Sequence, residues 1–389
     1  MARLPISGSD DGQWGNLLND FLLQSHKTDG TLKDNVLSAA NIPNSTVSAA
    51  KLQASNSPSS GQVLAYSGGS LQWTTPTEPT TNTDSLRSLL IFYAPPTTIN
   101  AKFDLDYAAG IIARYDDVVF GTGLEDSGNA YHADTAAIIS KVAALSPSTV
   151  IWGYIDTGIS TGNLSLATIN GQIDSWLAMG AKGIFLDVFG YDYGVTRTRQ
   201  NAILNYIHSK NVGAILNVFN PDQALSSQVD ATYNPGGTAT AATNKDVLLL
   251  ESWVFNSDAY ASPYYATFSD IKTRADKART YRQSLGIRIF AVNIIQHSGA
   301  TTNAITDRHS FAEALARIWR LDASGVAVSN YASTGADVSV VSPRFFAIPP
   351  TPSRPNAPYY LNNAWTQIQA PDLGLTVDYD TGVHTWSRL

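Results

Sequence analysis

Two acidic residues, Asp187 and Glu251, each stand at the end of a short apolar run. The runs, Gly-Ile-Phe-Leu before Asp187 and Val-Leu-Leu-Leu before Glu251, are typical of parallel strands that are buried on both faces. In a barrel of parallel strands the C-terminal strand ends surround one mouth, and the chemistry takes place there. Two carboxyl groups at such a mouth can cleave a glycosidic bond, because one protonates the leaving oxygen while the other acts as nucleophile or base.

We therefore predict that Asp187 and Glu251 face each other across the mouth as a catalytic pair. In this interpretation Glu251 is the general acid/base, and Asp187 is the nucleophile or a charge stabiliser. Burial beside Phe189 and Trp253 is expected to raise the pKa of one of the two acids. The alternative is that each acid only caps its strand or pairs with an arginine.

Polar and aromatic residues at the ends of the other predicted strands are candidates for binding a sugar. Amide groups and aromatic rings that converge on one pocket orient such a ligand. For Asp156, capping of the loop at Thr157 and Gly158 is an equally good interpretation. The predicted substrate-binding residues are Tyr93, Tyr154, Asp156, Tyr191, Asn217, Trp253, Asn293 and His297.

The elements that position these residues alternate between strand and helix for eight rounds. This pattern predicts an α/β fold in which a parallel sheet closes into a (β/α)₈ TIM-like barrel. An open, doubly wound sheet is the alternative, although no Gly-x-Gly-x-x-Gly follows the first strand. The predicted strands are Leu89 to Ala94, Asp117 to Gly121, Thr149 to Thr157, Gly183 to Gly190, Gly213 to Phe219, Asp246 to Trp253, Ile287 to Ile295 and Gly325 to Asn330.

The chain before the barrel has a different character. Apolar residues from Trp14 to Leu22 recur at helical spacing, and two alternating runs within Gly61 to Trp73 predict a β-hairpin. Leu37-Ser-Ala-Ala-Asn-Ile42 returns ten residues later as Val47-Ser-Ala-Ala-Lys-Leu52. This repeat is compatible with a trimeric fibre shaft and with a disordered linker.

These N-terminal features resemble a known class of protein. The opening Leu4-Pro-Ile-Ser-Gly-Ser-Asp-Asp-Gly12, the helix and the Gly61-Gln-Val-Leu64 hairpin resemble the attachment and shaft region of tail-fibre proteins from bacteriophages and contractile injection systems. The resemblance implies a homotrimer that binds baseplate or tail proteins through its N-terminus, outside the cell on a virion or injection particle. The predicted domains are a particle-attachment segment (1–30), a fibre shaft with hairpin (31–75), a linker (76–86), the glycoside hydrolase-like barrel (87–345) and a C-terminal extension (346–389).

A second resemblance spans most of residues 89–330. Gly153-Tyr-Ile-Asp-Thr-Gly158, Gly180-Ala-Lys-Gly-Ile-Phe-Leu-Asp187 and Asn217-Val-Phe-Asn-Pro221 resemble spherulin-4-like and glycoside hydrolase family 114 barrels. The resemblance implies cleavage of α-1,4-linked, galactosamine-containing polysaccharides, with Asp187 as the fourth-strand aspartate and Glu251 as the sixth-strand acid. Val188 departs from the Asp-Glu pair of the spherulin-like members, and this leaves room for a barrel that binds sugar without cutting it.

Composition excludes several other classes. The net charge of −7, without any basic run, gives no footprint for nucleic acid or for an anionic membrane surface. No apolar stretch is long enough to predict membrane insertion, and acids near the N-terminus argue against a secretion signal. The chain has no cysteine, no metal-binding histidine spacing and no Gly-x-Ser-x-Gly elbow, so we predict neither a metal nor a cofactor.

The sequence therefore favours a tail-fibre or tailspike-like protein whose barrel binds, and hydrolyses, a cell-surface polysaccharide. A non-catalytic carbohydrate-binding or structural fibre protein is the first alternative. A free secreted glycosidase is the second, and it would be a monomer.

Overall fold

The computed structural model of the chain describes residues 4, 6, 9–28, 31–33, 63–67, 70–74, 86–255, 266, 268–295, 309, 312–328, 360–361, 367–370, 375–378 and 384–386. The chain divides into two compact units, Met1–Thr80 and Thr81–Leu389.

The N-terminal unit contains a helix and a hairpin. Helix α1 spans Trp14–Leu22, where the apolar spacing predicts it, and none of its residues is buried. Strands β1 (Val63–Ser67) and β2 (Ser70–Thr74) pair antiparallel, with Ser67 opposite Ser70. The predicted β-hairpin is therefore present.

In the described part of the second unit, eight parallel strands close into a barrel. Each strand pairs with the next along the chain, and the last pairs with the first, so the predicted (β/α)₈ TIM-like fold is confirmed. The strands are β3 (Arg87–Phe92), β4 (Asp117–Phe120), β5 (Val150–Asp156), β6 (Gly183–Asp187), β7 (Gly213–Asn217), β8 (Val247–Glu251), β9 (Arg288–Ile295) and β10 (Ala323–Val328).

Helices alternate with these strands around the barrel. Several begin at a side-chain cap: Asp104 accepts from the N–H of Tyr107, and Ser165 accepts from the N–H of Thr168. Such caps satisfy the free N–H groups of the first turn. The helices are α2 (Leu105–Ile112), α3 (His132–Leu145), α4 (Leu166–Ala178), α5 (Arg197–Ser209), α6 (Pro221–Leu225) and α7 (Phe268–Leu285), and residues 312–318 are also helical.

The alternation of side chains along each strand produces two cores. Inward-facing residues such as Tyr154 and Phe185 fill the barrel, and outward-facing residues such as Ile155 and Leu186 pack against the helices. Gly153 shows how closely the outer layer is packed, since a Cβ atom there would lie 2.2 Å from the Trp176 ring on α4. The strands are thus held rigidly from both sides, and their C-terminal ends are fixed in position.

Beyond the barrel, the described residues include a small antiparallel sheet. It consists of β11 (Tyr360–Leu361), β12 (Gln367–Ala370), β13 (Leu375–Asp378) and β14 (His384–Trp386), paired in chain order. Among the described helices, none is long and apolar enough to cross a lipid bilayer.

Candidate active site

Asp187 is the last residue of β6, and its carboxylate accepts hydrogen bonds from three donors. The Tyr154 hydroxyl donates to Oδ2 at 2.7 Å. The Asn217 amide and the backbone N–H of Val188 donate to Oδ1 at 2.8 Å and 2.9 Å. Because hydrogen bonds to a carboxylate are strong and directional, these three donors fix the orientation of the Asp187 side chain.

Asn217 connects Asp187 to Glu251. Its Nδ2 also donates to Oε2 of Glu251 at 2.8 Å, so Asp187 Oδ1 and Glu251 Oε2 are at most twice that distance, 5.6 Å, apart. Asn217 ends β7, which lies between β6 and β8 in the barrel. The two acids are therefore near neighbours with one strand between them, and the prediction that they face each other across the mouth is wrong.

Both strands that carry an acid are followed by a residue with a left-handed backbone conformation. Val188 and Ser252, the residues that follow Asp187 and Glu251, have left-handed backbone angles, with φ of 49° and 46°. A positive φ is rare for residues other than glycine, and for a β-branched residue such as Val188 it is strained. The turn reverses the side-chain alternation, so the next residues, Phe189 and Trp253, enter the helix-facing core.

This turn corrects two sequence-based expectations for Trp253. Its side chain is fully buried, and its indole N–H donates to the carbonyl of Ile271 on α7 at 3.0 Å. Trp253 therefore does not reach the mouth, and neither Trp253 nor Phe189 forms the wall beside the acids. Aromatic rings inside the barrel support Asp187 instead.

Tyr154 stacks on Phe185 with ring centroids 5.7 Å apart, and Tyr93 packs edge-on against Tyr154 at 5.5 Å. Tyr154 is only 4% exposed. Tyr154 does not line the cavity, as the predicted sugar-binding role requires, but supports Asp187, because its hydroxyl donates to that carboxylate from inside the barrel. Tyr93 belongs to the same aromatic floor.

A cavity of about 210 Å³ opens above the acid pair. Its lining includes the three residues that the sequence predicts for the site and several that it does not. The lining residues are Asp187, Val188, Tyr193, Asn217, Val218, Phe219, Glu251 and Arg274.

Arg274, on α7, fixes the end of β8. Its guanidinium donates to the carbonyls of Glu251 at 2.6 Å and Ser252 at 3.1 Å. It therefore holds the backbone on both sides of the left-handed turn that follows Glu251. The same guanidinium lies 5.7 Å from the centre of the Phe219 ring.

The surroundings change the acidity of several groups in the site. Burial raises the pKa of Asp187 above its ordinary value, and the negative charge of Glu251 adds to the rise, while the hydrogen bonds from Tyr154, Asn217 and Val188 oppose it. Burial also raises the pKa of Tyr193, and the charges of Asp192, Asp187 and Glu251 act in the same direction. Burial lowers the pKa of Arg274, against the pull of Glu251.

Three further predicted residues, all within the described part of the chain, do not line the cavity. Asp156 caps its own loop, accepting from Gly158 N–H at 2.9 Å and from the Thr161 hydroxyl at 2.6 Å. Tyr191 is buried and stacks on Tyr233 with centroids 5.2 Å apart, which leaves Tyr193 to face the cavity.

Asn293 is an outward-facing residue of β9. Its inward neighbours, Phe290, Val292 and Ile294, belong to the inner core. Asn293 itself is fully buried and accepts from the N–H of Val254 at 2.8 Å, so it braces the segment after β8 instead of binding a ligand at the mouth. His297 lies outside the described residues.

The sequence analysis did not predict Phe219 and Arg274, and the two differ in how far the sequence indicates their positions. Phe219 lies two residues after Asn217, so side-chain alternation predicts that both point to the same side, and its position could have been predicted. Arg274 lies 23 residues from Glu251 in the middle of a helix, and no local pattern marks it. Among the described residues there is no cluster of three or more acidic, histidine or cysteine side chains that would hold a metal.

Fold and site together define the class of this protein: a (β/α)₈ barrel that carries two bridged carboxyl groups at its C-terminal strand ends. No protein-family model and no curated protein sequence matches the chain. Its function is therefore inferred from the site.

Several solved structures are similar to the chain at low identity. The glycoside hydrolase domain of PelA from Pseudomonas aeruginosa is 13% identical, with 64% of this chain and 96% of that chain covered and a TM-score of 0.39. Clostridial cellulose synthase subunit Z (CcsZ) from Clostridioides difficile is 10% identical, with 66% and 97% covered and a TM-score of 0.41. The carboxyl transferase domain of Rhizobium etli pyruvate carboxylase is 12% identical, with 64% and 40% covered and a TM-score of 0.36.

Proposed function

We propose that the barrel is a retaining glycoside hydrolase. The observation that carries this proposal is the acid pair, in which Asn217 holds oxygens of Asp187 and Glu251 within 5.6 Å of each other. Retaining glycosidases have carboxyl groups about 5–5.5 Å apart, whereas inverting enzymes need about 6.5–9.5 Å to admit a water molecule. The spacing therefore favours retention.

In this mechanism Asp187 attacks the anomeric carbon of the sugar. Glu251 donates its proton to the glycosidic oxygen, the bond from that oxygen to the anomeric carbon breaks, and an ester bond to Asp187 forms. Glu251, now ionised, takes a proton from water, whose oxygen displaces Asp187 and restores both residues. Asp187 attacks in its ionised form, and burial, which raises its pKa, moves that form to higher pH.

The substrate and the setting come from the two sequence resemblances. The family 114-like and spherulin-4-like motifs support a cell-surface polysaccharide that contains α-1,4-linked galactosamine. The tail-fibre-like segment supports an extracellular homotrimer that is attached to a virion or injection particle through its N-terminus. Three sugar sites on one fibre would bind a polymer more tightly than one site does.

Binding without cleavage is the second candidate function. Two observations favour it: Val188 replaces the second acid of spherulin-like members, and burial opposes ionisation of Asp187. A free secreted glycosidase remains the third interpretation, and it differs from the first in predicting a monomer.

Release of reducing ends from galactosaminogalactan tests the enzyme. We expect the wild type to release them, and Asp187→Asn and Glu251→Gln each to lower kcat/KM by at least about 100-fold. Leu145→Ala, at an exposed position at the end of α3, is the control and should match the wild type. Binding of the polymer by the wild type without any release would reject hydrolysis in favour of the binding protein.

Product stereochemistry separates the two mechanisms. Proton NMR recorded within the first minutes should show that the new reducing end keeps the anomeric configuration of the cleaved bond. An inverted first product would contradict the retaining assignment.

A further inference from the structure

Phe219 stands out among the described apolar side chains. It is 77% exposed, the highest value among the large apolar side chains whose exposure the structure describes, and it lines the cavity above the acid pair. Covering such a ring removes apolar surface from water, so a ligand that lies on Phe219 at the edge of the cavity gains binding energy from it.

The backbone on both sides of Phe219 is firmly built. The preceding residue, Val218, is 5% exposed, and the carbonyl of Asn217 accepts from the N–H of Phe189 at 3.0 Å. The following residue, Asn220, caps helix α6, and its side chain accepts from the N–H of Asp222 at 3.1 Å. The ring is therefore presented from a fixed position although it is exposed.

One side of the Phe219 ring already has a partner. The Arg274 guanidinium lies 5.7 Å from the ring centre, and its hydrogen bonds to the carbonyls of Glu251 and Ser252 keep it there. A cation near an aromatic face fixes the ring by electrostatic attraction. The rest of the ring surface is left for a ligand.

The size of the cavity indicates which part of a ligand reaches Phe219. At about 210 Å³ the cavity is smaller than the ~300–1,000 Å³ of typical small-molecule pockets. It has room for about one sugar ring over the acids, so the next ring of a polymer must lie on the rim. The rim residue on the β7 side is Phe219.

We propose that Phe219 is a stacking platform for the pyranose ring adjacent to the one that is cleaved, so that the enzyme selects oligosaccharides over single glycosides. The inference rests on the proposed hydrolase function and adds to it a subsite and a substrate length. The C–H groups on a pyranose face are apolar and weakly positive, and they match the negative face of an aromatic ring.

The platform also lies close to the acid pair. Arg274 touches both Phe219 and the backbone that carries Glu251, so a sugar held on Phe219 is bound next to the residue that protonates its linkage. Binding energy from a ring that does not react then lowers the barrier for the ring that does. Extending the substrate should consequently raise kcat/KM through Phe219.

Binding is measured with Asp187→Asn protein, which does not turn over, by calorimetry with galactosaminogalactan fragments of two to eight residues. Adding Phe219→Ala should weaken binding of the longer fragments about tenfold, the effect expected from ~50 Å² of apolar contact. Phe219→Trp should restore binding to within about threefold. Adding Leu145→Ala, an apolar residue 62% exposed at the end of α3, should change nothing.

Activity supplies an independent readout in protein with both acids intact. Phe219→Ala should lower kcat/KM about tenfold on the longer fragments, whereas Leu145→Ala should leave it unchanged. Equal binding of the longer fragments by Phe219→Ala and its parent would overturn the platform and leave the hydrolase standing. Failure of the parent to bind any fragment, together with absence of cleavage by the wild type, would overturn both proposals.

Discussion

Asn217 shows what a single side chain contributes to this site. An amide nitrogen carries two protons and no charge, so one residue can donate to Asp187 and to Glu251 at the same time. An acid in its place would repel both neighbours, and a lysine would pair with them and compete with the substrate. Asparagine therefore sets the spacing of the acids while leaving their charge available for chemistry.

Tyr154 gives a pH-dependent prediction at the same scale. Tyr154→Phe keeps the ring that stacks on Phe185 but removes the hydroxyl that donates to Asp187. Because that hydrogen bond lowers the pKa of Asp187, its loss should raise the pKa further. Asp187 must be ionised to attack, so activity appears as the pH rises through its pKa, and the acidic limb of the kcat/KM profile should move to higher pH.

The kcat/KM of Tyr154→Phe at its optimum pH should be about tenfold lower than that of the wild type, as expected for the loss of one hydrogen bond to a charged group. Tyr206→Phe is a matched control, since the Tyr206 hydroxyl donates to the carboxylate of Asp174 at 2.7 Å outside the cavity. Its profile should coincide with that of the wild type. An unshifted acidic limb in Tyr154→Phe would show that Asp187 does not govern that limb.

Side-chain alternation accounts for both the successes and the errors of sequence reasoning here. It brought Asp187, Asn217 and Glu251 to one mouth, as the structure shows. It failed for Trp253, because the left-handed turn at Ser252 reverses the alternation and no sequence pattern announces such a turn. Asn293 was assigned from its position near a strand end, although the alternation of its neighbours points it outward.

At the scale of elements, strand endings decide which residues reach the mouth. Several predicted strands extended too far, among them the three that carry the site, which were predicted to end at Gly190, Phe219 and Trp253. The structure ends them at Asp187, Asn217 and Glu251. Apolar residues continue past each end, so composition alone does not mark the boundary. The eight-fold alternation of strands and helices could be predicted because many residues contribute to the pattern. The hydrogen bonds from α7 to the end of β8 could not be predicted, since a single residue, Arg274, makes them.

Arg274 tests whether a helix positions the acid on a neighbouring strand. Arg274→Met removes both hydrogen bonds to the turn after Glu251, and Arg274→Lys retains a charge without the forked geometry that reaches two carbonyls. We expect kcat to fall at least about tenfold in both variants, with KM on an aryl galactosaminide within about threefold. The free energy of unfolding should fall by about 1–3 kcal/mol, because buried carbonyls lose their donor.

A substitution that affects only stability should lower the free energy of unfolding without lowering kcat. Arg282, on the same helix, donates to the carbonyl of Arg320 at 2.6 Å and pairs with Asp322 away from the cavity. Arg282→Lys should lower stability while the folded protein keeps its kcat, measured well below its melting temperature. If Arg274→Lys also keeps full kcat, the arginine stabilises α7 without positioning Glu251.

On the scale of the whole molecule, the chain divides into two compact units, and the barrel belongs to the second. The barrel strands and both cores lie within Thr81–Leu389. In the described part of the N-terminal unit, helix α1 exposes Trp14, Leu18, Phe21 and Leu22 by 37 to 46%. A short helix with exposed apolar residues is not stable without a partner surface, which agrees with the proposed trimer and attachment role.

This division predicts how the two units separate. A chain of residues 81–389 should fold, remain a monomer and cleave short fragments with the kcat of the full chain, because the acid pair and the cavity lie within it.

The full chain should form a trimer, with three times the 41.7 kDa mass of one chain by light scattering. On immobilised polysaccharide, full-length Asp187→Asn should bind more tightly than the same variant of 81–389 by about 10²-fold or more, because three linked sites act together. A monomeric full chain would contradict the fibre interpretation and favour a free glycosidase. An unfolded 81–389 chain would show that the barrel depends on the N-terminal unit.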